Sequence, residues 1–112
     1  MQSPVATAEY IKITAYEAKN MMDDSNVIVV DVRTLEEYTE SHIQGAILIP
    51  NESISDTLPD QLSDIDAQIL VYCRTGNRSA QASEKLIALG YTHVYDFGGI
   101  IDWPYGTVTG IN

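Results

Sequence analysis

The chain is short of positive charge and of cysteine. Six residues are Lys or Arg against sixteen Asp or Glu, giving a net charge of −10. That excess works against a phosphate backbone or an anionic lipid surface, so no nucleic-acid and no membrane partner is expected. Cysteine occurs once, at Cys73, and a lone cysteine makes no internal disulfide. With only His42 and His93 beside it, a dedicated metal site is not expected, nor is any other cofactor. No apolar run approaches the length of a membrane span. The opening residues, MQSPVATAEY, lack the basic start and apolar centre of a signal peptide. A cytoplasmic protein is therefore expected, although the small-residue stretch ATA also suits the start of an exported, processed chain. There is no internal repeat and no low-complexity tract.

What remains is an ordinary globular composition. The 112 residues are 45% apolar, enough for one core in one domain, with a monomer as the default. Residues 1–9 read as a loose leader and 10–112 as the domain. YIKIT alternates Ile11 and Ile13 around Lys12, a short strand. Thr14 and Glu17 form a capping box that opens a helix through about Asp23, with Ala18, Met21 and Met22 as its apolar stripe. VIVV, Val27 to Val30, is a β-branched run suited to a strand covered on both faces. Thr34 and Glu37 form a second capping box before a short helix. AILI, Ala46 to Ile49, is a strand ended by Pro50. Residues 51–66 are polar and acidic, with Leu58 and Leu62 as expected anchors. ILVY, Ile69 to Tyr72, is a further strand. Ser79 to Leu89 is helical, with Ala82, Leu86 and Leu89 on one face and Gly90 as its stop. THVYDF is a last strand, GGIIDW turns into a short helix near Trp103, and the tail packs back. Apolar strands alternating with helices indicate an α/β domain with a mostly parallel sheet.

In such sheets ligands gather at the carboxyl ends of strands, and Cys73 follows Tyr72 directly. The loop Cys73-Arg74-Thr75-Gly76-Asn77-Arg78-Ser79 joins a buried strand to a helix start. The helix offers unpaired amides and a positive dipole end, and Gly76 allows successive N–H groups to turn inward on an anion. Arg74 and Arg78 add fixed charge. No acidic residue occurs between Asp66 and Glu84, so nothing near the loop is expected to cancel it. These effects favour a thiolate at Cys73 and draw an anionic substrate to it. The bland reading, an inert buried thiol beside solvated arginines, leaves the glycine between two arginines unexplained.

CRTGNRS resembles the active-site loop of the rhodanese family, Cys-Arg-x-Gly-x-Arg-Ser/Thr. DVRTLEEYTESHIQGAILIP resembles the family's upstream signature, through Asp31, Arg33, Glu37, Tyr38, His42, Ile43, Gly45, Ala46 and Pro50, with Ser41 where the family usually has Gly. GGIIDW resembles its C-terminal Gly-Gly-x-x-x-Trp. The likeness runs from about Ile11 to Tyr105. It implies a five-stranded, mostly parallel sheet flanked by helices, and sulfurtransferase chemistry through a persulfide on Cys73. It further implies a binding loop of Arg74, Thr75, Gly76, Asn77, Arg78 and Ser79, with Arg74 and Arg78 gripping the sulfonate end of thiosulfate. The partners implied are a small anionic sulfur donor and a thiol or cyanide acceptor.

Two other classes compete. Cysteine phosphatases and arsenate reductases space their loop Cys-x5-Arg, which would put arginine at position 79, where this chain has Ser79. A persulfide carrier or an interaction module would keep the fold without rapid turnover. Outside the loop, Asp31 and Arg33 read as a buried ion pair rather than substrate ligands, since each would be costly alone. His42 reads as a hydrogen-bonded structural imidazole, Tyr72 as core, and Trp103 as a core or rim aromatic.

Overall fold

A computed structural model describes residues 9–110, so the expected leader, save Glu9, lies outside the described residues. The elements run β1 (Ile11–Lys12), α1 (Ala15–Asp24), β2 (Val27–Asp31), α2 (Leu35–Glu40) and β3 (Ile47–Leu48), then β4 (Gln68–Cys73), α3 (Asn77–Ala88) and β5 (His93–Gly99). Short 3-10 turns follow β3 at Asn51–Ser53 and β5 at Ile100–Asp102. The five strands form one sheet in the order β1-β5-β4-β2-β3, and every pair is parallel.

Both capping boxes form. Thr14 caps α1 and Thr34 caps α2, each through reciprocal bonds with the glutamate three residues on, which satisfies amides that a helix start otherwise leaves orphaned. Alternation then sorts the strand side chains between two cores. From β4, Ile69, Val71 and Cys73 join Val30, Val32, Ala82 and Leu86 under α3. Leu70 and Tyr72 face the other way, among Ala18, Val29, Tyr38 and Phe97 under α1 and α2. The two-residue period of a strand therefore sets neighbours Tyr72 and Cys73 on opposite faces of the sheet. Each fully buried aliphatic residue such as Leu86 contributes about 1.5–3 kcal/mol, so both faces are firmly held.

Several expected boundaries shift. α3 starts at Asn77, two residues before Ser79, so Asn77 and Arg78 belong to its first turn. Gly76 takes the left-handed conformation needed there, at φ 112°. β3 keeps only Ile47 and Leu48 of the four expected residues, paired with Val30 and Asp31 of β2; the Ala46 amide is taken instead by the Ile43 carbonyl of the preceding turn, at 3.0 Å. Of the two expected anchors Leu62 is buried, but Leu58 is 39% exposed, and Ile54 is the second buried side chain there. The tail does pack back: His42 and Val108 exchange backbone bonds of 2.8 Å in both directions.

Candidate active site

β4 ends at Cys73, which is paired with Gly99 of β5 after a shift in register at Val71–Cys73. The chain then turns through Arg74, Thr75 and Gly76 into α3. This turn carries the Gly76 amide back to the sulfur, where it donates to Cys73 Sγ at 3.0 Å. The amides of Asn77, Arg78 and Ser79 in the first turn of α3 find no acceptor among the described residues. They are the ordinary orphan donors of a helix start, and here they lie beside the cysteine loop.

Two glycines shape the loop for different reasons. Gly76 has room for a side chain, the nearest atom to an added Cβ being Gly98 Cα at 3.7 Å, but its φ of 112° is one that other residues rarely adopt. Gly99 has an ordinary φ of −122°, yet a Cβ there would collide with the Arg74 carbonyl and lie 2.7 Å from Thr75 Cα. Ser79 ties the two segments, its hydroxyl donating to the Gly76 carbonyl at 3.0 Å and lying 3.5 Å from that of Gly98. Gly98 is in turn fixed by Asp96, whose carboxylate accepts the Gly98 amide at 2.9 Å.

The sulfur is well enclosed: Cys73 is 1% exposed, whereas Arg74, Thr75 and Asn77 around it are exposed. Reagents therefore have to reach it through the mouth of the loop.

The expectation that nothing near the loop cancels its charge is overturned. Glu37, from α2, takes both ends of the Arg78 guanidinium, with Nη1 donating at 2.7 Å and Nη2 at 3.0 Å. The same Glu37 carboxylate caps α2 by accepting from the Thr34 amide at 3.1 Å. Its hydrogen bonds from Arg78, with those from Thr34, hold it well below the ordinary glutamate value, at about 2. Arg78 is correspondingly raised, by Glu37 first, and the charges of Cys73 and Glu52 also act on it. In the sequence Glu37 stands out only as a cap and a signature residue. Its partner lies 41 positions away, beyond any local pattern.

Asp31 and Arg33 form the buried pair expected of them. Arg33 Nη2 donates to Asp31 Oδ2 at 2.7 Å and to the Ser41 carbonyl at 2.6 Å. The Tyr72 hydroxyl donates to Asp31 at 2.7 Å and accepts the Ile43 amide at 3.1 Å. Burial works against the Arg33 charge, but the hydrogen bonds and charge of Asp31 outweigh it and leave Arg33 raised. Because Tyr72 and Cys73 point to opposite faces, this network lies across the sheet from the sulfur. His42 is also structural: it is buried, stacks on Tyr38 with ring centroids 3.8 Å apart, and directs Nδ1 to the Tyr38 carbonyl at 2.8 Å. The carbonyl only accepts, so Nδ1 carries a proton.

Trp103 packs on Phe97 and Tyr105 and donates its indole N–H to the Gly106 carbonyl at 3.0 Å. It lines a groove of about 390 Å³ with Lys19, Met22, Ile43 and Tyr105. Neither Cys73 nor any other residue of its loop lines that groove. Among the described residues no cluster of ligand side chains suits a metal, and no helix is long and apolar enough to cross a membrane.

Comparison with known proteins agrees with the fold. The rhodanese-like domain model matches residues 14–104. Thiosulfate sulfurtransferase PspE of Escherichia coli is 40% identical over 81 residues, covering 72% of this chain and 78% of that protein. The tRNA uridine(34) hydroxylase of Pectobacterium atrosepticum is 35% identical over 106 residues, but the match covers 90% of this chain and only 29% of that longer protein. Among solved structures, a rhodanese with anions from E. coli superposes with a TM-score of 0.70 at 38% identity, covering 76% of this chain and all of that one. On the domain match over residues 14–104 and these likenesses, the chain belongs to the rhodanese-like domain family.

Proposed function

We propose that the protein is a sulfurtransferase that moves a sulfane sulfur from thiosulfate, or a related persulfide donor, through Cys73 to a thiol or cyanide. The observation that carries this reading is the Gly76 amide donating to Cys73 Sγ at 3.0 Å, at the point where β4 meets the start of α3. An amide donor beside a helix N-terminus stabilises negative charge on sulfur, first on the thiolate and then on the persulfide.

The Cys73 thiolate attacks the outer sulfur of thiosulfate. A sulfur–sulfur bond forms to Cys73, the donor's own sulfur–sulfur bond breaks, and sulfite leaves with the electron pair. In the second half-reaction cyanide or a thiolate attacks the terminal sulfur of the persulfide, and the Cys73 thiolate departs unchanged. Two half-reactions through one covalent intermediate give ping-pong kinetics. Arg74, exposed at the mouth, meets the sulfonate end, and the loop amides from Thr75 to Ser79 cradle the transferred sulfur. Arg78 is held by Glu37 and acts at longer range.

A phosphatase is disfavoured by position 79. Ser79 is fully buried and bonded to Gly76, so an arginine has no outlet there to a bound phosphate. The hydroxylase activity of the longer relatives belongs to proteins of which this chain spans 29%.

Intact-mass measurement after mixing with thiosulfate tests the reading. Addition of one sulfur atom, reversed by cyanide and absent from Cys73→Ala, is expected. An unmodified wild-type protein, or turnover of an aryl phosphate that depends on Cys73, would overturn it.

A further inference from the structure

The loop carries two guanidinium groups, but they are not equivalent. Arg78 is matched by the Glu37 carboxylate through two hydrogen bonds, with the two side chains 29% and 26% exposed. Glu52, from the turn after β3, lies close enough to add to the same effect. Arg74 is exposed and joins no ion pair among the described residues. The side chains of the loop therefore offer an incoming anion one unbalanced positive charge rather than two.

We propose that Glu37 is a specificity-determining residue of the Cys73 site. By matching Arg78 it discriminates against doubly charged sulfur donors and favours donors with a single negative charge at the reacting end, such as alkylthiosulfonates and ionised organic persulfides. The proposal rests on the sulfur-transfer reading for its substrate class, but its electrostatic content is separate. Coulomb energy is proportional to the charge of the ligand. Removing one carboxylate charge near the pocket therefore shifts the binding energy of a dianion by twice that of a monoanion. A gain of x-fold for the monoanion becomes a gain of x-squared for the dianion.

Glu37→Gln is a clean probe, because glutamine at the third helical position still completes a capping box. Sulfate and methanesulfonate serve as non-reacting stand-ins for thiosulfate and methanethiosulfonate, with calorimetric binding at low salt as the readout. Relative to wild type, Glu37→Gln is expected to bind methanesulfonate about threefold and sulfate about ninefold more tightly. Glu37→Asp, which restores the charge on a shorter arm, is expected to bring sulfate affinity back toward wild type. In turnover, Glu37→Gln is expected to lower KM for thiosulfate more than for methanethiosulfonate.

Equal gains for both anions, or no gain, would overturn the proposal. So would a loss for both anions, which would mean that Glu37 only holds Arg78 in place. If Glu37→Gln gains sulfate affinity as stated while thiosulfate leaves no sulfur on wild-type Cys73, the charge assignment stands and the sulfur-transfer reading falls.

Discussion

Gly99 stands directly against Arg74: a single methyl group at position 99 would overlap the Arg74 carbonyl and come within 2.7 Å of Thr75 Cα. The last strand thus forms a wall behind the cysteine loop. Because the Gly99 backbone is ordinary, at φ −122°, only lack of space forbids a larger residue. Gly99→Ala is expected to displace the loop and lengthen the bond from the Gly76 amide to Cys73. Overpacking of this kind costs about 1–3 kcal/mol, and the rate of persulfide formation should fall at least about tenfold because the displaced amide is a charge-stabilising donor. Thermal melts and single-turnover mass analysis check both effects. Unchanged persulfide formation would show that the contact does not position the loop.

The Tyr72 hydroxyl serves two partners, donating to Asp31 and accepting from Ile43. Tyr72→Phe leaves both groups buried with one bond fewer, at a cost of about 1–3 kcal/mol. Arg33→Met is more damaging, at about 3–5 kcal/mol, since it strands the fully buried Asp31. Neither is expected to change KM for thiosulfate selectively, because the network faces away from the sulfur. Urea unfolding and steady-state kinetics on the folded fraction separate the two effects. A rise in KM without loss of stability would make Arg33 a substrate ligand.

Glu37 gives the fold a defined acid sensitivity. Its carboxyl falls from the ordinary value of 4.5 to about 2 on folding, chiefly through Arg78. A depressed folded value means that the ionised form stabilises the fold. That contribution is complete above about pH 4.5 and is lost as pH falls toward 2. With the pair partly exposed, its size is about 1 kcal/mol. The stability difference between wild type and Glu37→Gln, from urea melts, should therefore be constant from pH 5 to 7 on this assignment and vanish near pH 2. A difference that is flat to the lowest pH would remove Glu37 as an ionic partner.

His42 is enclosed by Tyr38 and the tail. His42→Gln is expected to lower stability by about 1–3 kcal/mol through lost stacking and an underbonded carbonyl. Its pH profile for persulfide formation should match that of wild type between about pH 6 and 8, the range in which a free imidazole titrates. A profile that loses a titrating group would give His42 a part in proton transfer.

The parts of the fold that are legible in the chain are those governed by short-range rules. Thr14 with Glu17 and Thr34 with Glu37 mark helix starts because a cap needs partners three residues apart. Val27 to Val30 and Ile69 to Tyr72 mark buried strands because β-branched and apolar runs of that length suit a covered sheet. Cys73 falls at a strand end because the apolar run stops there. By contrast, β3 shrinks to two residues because the turn from Ile43 claims the Ala46 amide, and Leu58 stays exposed while Ile54 and Leu62 are buried.

Local chain chemistry is enough to place one thiol between a buried strand and a helix start, with Gly76 turning the chain and two arginines nearby. Tertiary structure alone decided what those arginines are worth. Sheet order sets β2 beside β4, so the starts of α2 and α3 emerge at the same edge of the sheet and Glu37 reaches Arg78 across 41 residues. It also sets Gly99 against Arg74 and buries Cys73 to 1% exposure. The physical reason is reach: capping and alternation act over a few residues of chain, whereas charge and excluded volume act through space between segments that only folding brings together.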